Sequence, residues 1–203
     1  MLAALWAALL APAFTAFGSP ITWLELAAFV LSVWMVVCNM RVNPLAWPLA
    51  LIASLMYFAL FLDGKLYGEA ALQLVFAALA VWGWWQWRFG RTREGDVLTV
   101  RRLGLQGLAK PALLTLAAWP LLGVFLARFT DSPLPWWDAF PTVASLLGQW
   151  LLARKYEENW PTWIVVNTVS VVLFGLKGYW LTVILYAGFI PMSVVGWRAW
   201  QRA

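Results

Sequence analysis

The sequence predicts an all-α integral membrane protein. It would have seven transmembrane helices, set as two parallel three-helix repeats joined by a linker helix (3+1+3), with room for an extra hydrophobic helix at the N-terminus. Three observations carry this reading. The 203 residues are 64% hydrophobic and 11% charged, whereas a soluble domain carries about 25% charged residues. Seven apolar runs approach the roughly 20 residues that span a bilayer. The second half of the chain also resembles the first, in one fixed register.

Taken in order, residues 1–20 form an N-terminal apolar segment. The run from Leu2 to Phe17 is interrupted by Pro12 and lacks a basic leading region. It makes a poor signal peptide, and an uncleaved interfacial or extra spanning helix is the expectation. The spans are predicted near 22–40, 45–62, 67–88, 106–127, 136–153, 161–176 and 179–198. Several are short, which implies little tilt or a locally thin bilayer. The first repeat covers 21–90, the cytoplasmic loop and linker helix 91–133, and the second repeat 134–203.

Charge sets the orientation. With seven spans, eleven of the 14 Lys and Arg residues fall on one side, and only Lys65, Arg128 and Lys177 on the other. The positive-inside rule places the first side, and the C-terminus, in the cytoplasm. The cluster RFGRTREGDVLTVRR then forms the long cytoplasmic loop. Topology and anionic lipid account for its charge, so no nucleic-acid partner is implied.

Absences narrow the chemistry. There is no histidine and one cysteine, Cys38. His-ligated zinc and Ser–His or Cys–His nucleophiles are excluded, as is a disulfide within the chain. Cys38 reads as a small core residue. No core carboxylate pair or convincing nucleophile is present, so an enzyme is not expected. No cofactor or metal site is indicated.

The repeat needs no gap across 23–87 and 136–200. Trp47-Pro48 falls on Trp160-Pro161, Leu60-Phe61 on Leu173-Phe174, and Gly83-Trp84 with Trp87 on Gly196-Trp197 with Trp200. Trp23, Glu25, Ser32 and Arg41 fall on Trp136, Asp138, Ser145 and Arg154. An odd linker helix gives both repeats the same orientation, related by an axis along the membrane normal.

Polar residues within spans mark pathways. Trp160, Trp163 and Asn167 share one helix face at i, i+3 and i+7. Two indoles and an amide could hold a flat heteroaromatic ring, and a pyridinium would add about 0.5–2 kcal/mol of cation–π attraction. Trp160 also reads as an interfacial anchor, and Trp47 is its counterpart in the first repeat. Gln149 lies mid-span and needs a partner, from a neighbouring helix or a substrate. Gln73 matches Tyr186, and Ser54 matches Asn167, so these pairs are expected at a common axis. Glu69 would meet a cationic substrate or reach out to water. Pro48 and Pro161 open their spans, where proline costs no hydrogen bond. The stretch VWGWWQW, Val81–Trp87, holds four tryptophans. It reads as an interfacial belt with a packing glycine, matched by VVGWRAW, rather than as a substrate platform. Gln86 is a candidate inner gate.

The 3+1+3 plan is similar to that of the SWEET sugar transporters. The motifs GWWQW, RKYEENWPTWIVVN and KGYWLTVILY…GWRAW resemble those of the PnuC family of vitamin and nucleoside transporters, best known for nicotinamide riboside. Glu158–Asn167 is the most specific piece, and the resemblance covers residues 20–200. It implies a facilitative importer working by alternating access without ATP. A cytosolic kinase would trap the vitamin, the chain would form a homo-oligomer (a trimer), and the site would be a bacterial inner membrane. In the SWEET-like plan the paired prolines, here Pro48 and Pro161, serve as hinges. Two alternatives stay open: the same fold carrying thiamine, riboflavin or a deoxynucleoside, and an accessory membrane subunit with no substrate.

Overall fold

Backbone N–H and C=O groups in hydrocarbon find no water, so they must satisfy one another, and a single segment does this only as a helix. The computed structural model describes residues 7–63, 67–92 and 94–202. Among them are seven long helices: α1 Trp23–Met40, α2 Ala46–Asp63, α3 Tyr67–Phe89, α4 Gly104–Phe129, α5 Pro135–Ala153, α6 Asn159–Leu176 and α7 Trp180–Trp200. Each coincides with one predicted span. Helices α1, α2, α4, α6 and α7 are long and apolar enough to cross a membrane. The other two, α3 and α5, have 23 and 19 residues, and each combines several Trp with Gln.

The expected N-terminal helix does not form over the second half of its run. Residues 7–10 are helical, but Pro12–Ala16 (β1) pairs antiparallel with Ser19–Thr22 (β2). Pro12 cannot continue a helix. Phe17 and Gly18 both take positive φ, 54° and 80°, the geometry of a two-residue hairpin turn that matches strand twist. Pro20 is tolerated because both strands of a two-stranded sheet are edges. The start of the run, residues 1–6, lies outside the described residues, as does Lys65.

The chain divides into two compact units: Met1–Asn39 with Asn43–Trp82, and Met40–Val42 with Gly83–Ala203. In the first, Cys38, Ala46 and Leu49 form a buried cluster, with Leu31 and Met35 against it. Cys38 is thus the core residue it was expected to be. In the second, α4 packs on α5, α5 on α6 and α6 on α7.

Helix bounds and turns carry the repeat. In the register that sets Trp47 on Trp160, the bounds of α2 become those of α6, and α1 begins one position inside α5 and ends with it. The α1–α2 and α5–α6 turns are built alike. Val42 and Lys155 hold the left-handed conformation at φ 52° and 56°. Past them, Asn43 N–H donates to Cys38 O and Tyr156 N–H to Leu151 O, both at 2.9 Å. This is the six-to-one bond of a Schellman helix ending.

Glycines seat tryptophans in the second unit. The Trp136 indole of α5 lies on Gly123 of α4, Trp163 of α6 on Gly148 of α5, and Trp160 of α6 on Gly196 of α7. Each neighbouring helix pair there has one such contact. A Cβ on Gly196 would lie 2.5 Å from the Trp160 ring, while one on Gly188 would meet nothing within 4 Å. Gly196→Ala is therefore expected to destabilise the detergent-solubilised protein by about 1–3 kcal/mol through overpacking. Gly188→Ala should be neutral or stabilising, by up to about 1 kcal/mol of helix propensity. Thermal unfolding of the two variants side by side checks this.

Candidate functional site

The α6 face read from the sequence is real as helix geometry, and its residues differ in access. Trp160 is 2% exposed, and Asn167 3%. Trp163 is half-buried. Ser170 continues the stripe one turn beyond Asn167 and is buried too, as are Ser145 of α5 and Ser193 of α7. Among the described residues, Asn167, Ser170 and Ser193 make no side-chain hydrogen bond. A fully enclosed polar group without a partner costs about 1–3 kcal/mol; among the described residues of this unit that cost falls on Arg101 Nε, Gln149 Oε1, Asn159 Oδ1 and Trp160 Nε1. Trp160 is enclosed by protein. Its ring packs on Gly196 and meets Trp200 edge-on at 5.5 Å.

The other expected residues separate by unit. Trp47 and Ser54 are buried in α2, and Gln73 is half-buried in α3; all three belong to the first unit. Gln149 belongs to the second, with Oε1 enclosed and without a hydrogen-bond partner. Tyr186 stacks on Phe174, ring centroids 5.4 Å apart and 7° from parallel. The Glu69 side chain lies outside the described residues. Pro48 and Pro161 each hold the third position of their helix, where no intrahelical bond is lost. Proline lies within the helix at Pro111, Pro120, Pro141 and Pro191.

VWGWWQW splits as a helix must split it. Trp84 and Trp85 are exposed. Trp87 is buried, donates from Nε1 to Leu152 O at 3.1 Å, and meets the Trp200 ring at 6.3 Å. Gln86 is buried and accepts a bond from Arg154 Nη1 at 3.0 Å.

The RKYEEN segment, Arg154–Asn159, does work that the sequence reading did not assign. Arg101 N–H donates to Lys155 O, and Glu157 N–H to Arg101 O, both at 3.1 Å. The Lys155 ammonium sits 5.2 Å from the Trp87 ring centre and donates to Leu98 O at 2.9 Å. Burial holds that ammonium below the ordinary lysine range. Glu157 pairs with Arg102. The Glu158 carboxylate accepts from the backbone N–H of Leu103 at 3.0 Å and of Gly104 at 2.8 Å. It therefore caps α4, which has no side-chain cap of its own at Leu103. A cap supplied from so distant a point in the chain leaves no local spacing to read.

Long apolar helices around buried amides, hydroxyls and indoles make a multi-pass membrane carrier rather than an anchor. Known proteins bear this out. The chain belongs to the family described as nicotinamide mononucleotide transporter, which matches residues 22–202; it is a family of membrane transporters and not of enzymes. The PnuC resemblance thus holds. The chain is 28% identical over 193 residues to the riboflavin/roseoflavin transporter RibM of Streptomyces davaonensis, covering 93% of this chain and 89% of that one. It is 26% identical over 174 residues to the nicotinamide riboside transporter PnuC of Escherichia coli, covering 74% and 73%. A crystal structure of the vitamin B3 transporter PnuC matches with TM-score 0.73 over 89% of this chain and 81% of that one, at 24% identity, a likeness of fold.

Replacing Glu158 by Gln keeps its size and removes the anionic cap. The variant should lose about 1 kcal/mol and exchange the Leu103 and Gly104 amide hydrogens faster. Amide exchange by mass spectrometry reads both, and unchanged protection at these two amides would refute the capping role.

Proposed function

We propose that this protein is a facilitative importer of nicotinamide riboside that works by alternating access. The observation that carries the reading is the α6 stripe, where the half-buried Trp163 offers an indole face and Asn167 a buried amide that makes no side-chain hydrogen bond among the described residues. The nicotinamide ring would stack on Trp163, with cation–π attraction to its positive charge, and the amide would bond the ribose or carboxamide. Trp160, held between Gly196 and Trp200, would back the site rather than touch substrate. Ser54, Gln73, Trp47, Gln149, Tyr186 and Glu69 are the further lining candidates, and Pro48 and Pro161 the hinge candidates.

The two repeats, in 3+1+3 order, are the rocking halves in this reading. The matched turns and helix bounds support it. All seven long helices cross a bacterial inner membrane, and the charge bias sets the C-terminus in the cytoplasm. The carrier works as a homo-trimer, and a cytosolic kinase traps the imported vitamin by phosphorylation. Riboflavin is the second reading, favoured by the long, nearly full-length match to the riboflavin/roseoflavin transporter.

Thermal stabilisation by nicotinamide riboside, riboflavin, thiamine and thymidine, each added to the purified protein, separates the readings, because a ligand bound only by the folded state raises apparent stability by mass action. Nicotinamide riboside should stabilise. Asn167→Ala should weaken its affinity about tenfold, the cost of one lost hydrogen bond, while the protein stays folded. Trp163→Ala should abolish the shift. Stabilisation by riboflavin alone would move the substrate to that vitamin, and a loss of folding without loss of affinity would assign Asn167 to packing. Orientation is tested by Arg202→Cys and a membrane-impermeant maleimide. Cys38 is buried, so labelling only after permeabilisation is expected.

A further inference from the structure

Within the second unit, a cavity of about 860 Å³ opens between α4, α5 and the basic loop. Its lining is divided. Three cations, Arg101, Lys110 and Arg154, stand with one carboxylate, Glu94. Leu114 and Leu147 belong to its apolar part. On α4 the lining residues Lys110, Leu114 and Ala118 follow at steps of four, one helix face about 12 Å long at 1.5 Å per residue.

The positive charge here is not neutralised by pairing. The two ion pairs among the described residues, Arg102–Glu157 and Lys177–Asp138, use none of the three cations. The Arg154 guanidinium donates only to the neutral amide of Gln86 among the described residues. Arg101 lies over the Tyr156 ring, 4.7 Å from its centre, with Nε enclosed and without a hydrogen-bond partner. Of the nearby carboxylates, Glu157 is engaged by Arg102 and Glu158 by the α4 amides, so Glu94 stands against three cations and the lining stays net positive. Beyond the cavity, α4 is the least covered of the spanning helices, with Leu113, Leu116 and Leu121 exposed.

We infer that this cleft is a binding site for an anionic phospholipid. The phosphate would lie among Arg101, Lys110 and Arg154, and an acyl chain would run along α4 past Leu114 and Leu147. Basic pockets between spanning helices take anionic headgroups for this reason. An inorganic anion would need the cations alone. The apolar lining, more than a turn of helix long, matches a chain. The site is separate from the α6 stripe and independent of which vitamin is carried.

The test uses the full chain in detergent, titrated with phosphatidylglycerol, phosphatidylcholine of the same acyl chains, or inorganic phosphate, and followed by native mass spectrometry and thermal unfolding. Phosphatidylglycerol should be retained and should stabilise, with phosphatidylcholine much weaker and phosphate without effect. Each cation removed, by Arg101→Gln or Lys110→Gln, should weaken the lipid about fivefold. Leu147→Trp keeps every cation and fills the apolar part. It should abolish the preference for phosphatidylglycerol, and it does not depend on the charge variants folding. Equal effects of the two lipids would overturn the proposal, as would stabilisation by phosphate alone, or full retention in Leu147→Trp. A change of oligomeric state in Leu147→Trp, with lipid binding intact, would assign the cleft to a second copy and also overturn it.

Discussion

Inside a bilayer, helices gain nothing from hiding apolar surface, because lipid tails are as apolar as leucine; what holds them is close van der Waals contact. This chain makes that contact by laying indoles on glycines. Gly123, Gly148 and Gly196 each receive a tryptophan from the neighbouring helix, so every adjacent pair from α4 to α7 is joined in the same way. An indole is the largest flat surface a side chain can offer, and a missing Cβ lets it lie against the backbone. Its cost is a polar N–H. Trp160 bears that cost, its Nε1 enclosed without a hydrogen-bond partner, whereas Trp87, away from these glycines, donates to Leu152 O and Trp119 to Trp136 O at 2.8 Å.

The ends of the helices raise a second demand, since their last carbonyls and first amides have no partner within the helix. The chain answers twice with the same Schellman turn, once after α1 and once after α5. In the second turn the answer is extended. Lys155, Glu157 and Glu158 bind the basic loop and the start of α4 to the turn before α6. Trp160 follows directly, locked between Gly196 and Trp200. One end of α6 is thus firmly held, while its middle carries Asn167 and Ser170, whose side chains bond to nothing among the described residues. A firm end beside a polar middle suits a carrier, which must keep its fold while exchanging a ligand's hydrogen bonds for water's.

Much of this was legible beforehand, for reasons that can be stated residue by residue. All seven long helices lie where apolar runs of spanning length predict them, because a bilayer leaves the backbone no other choice. The repeat was legible because Trp-Pro and Gly-Trp pairs recur in one register, and in the second repeat Trp160 packs on Gly196. The division of VWGWWQW into outward Trp84 and Trp85 and inward Trp87 follows from the helical period. The hairpin at Pro12–Thr22 was not legible as such. Its residues are apolar, and apolarity by itself does not separate a strand from a helix. The signal was present in Pro12 and in the Phe17-Gly18 turn, but composition outweighed it.

By itself, then, the sequence determined the membrane class, the helix positions, the internal repeat and the face shared by Trp160, Trp163 and Asn167. These depend on hydropathy and periodicity, which are local. Only the tertiary structure decided that Trp160 is buried against Gly196 and Trp200 while Trp163 keeps partial access, that Glu158 caps a helix far from it in the chain, and that Arg101, Lys110 and Arg154 surround one cavity. Those facts depend on which distant segments meet. Burial and pairing belong to a residue's neighbours in space, and a one-dimensional pattern does not carry them.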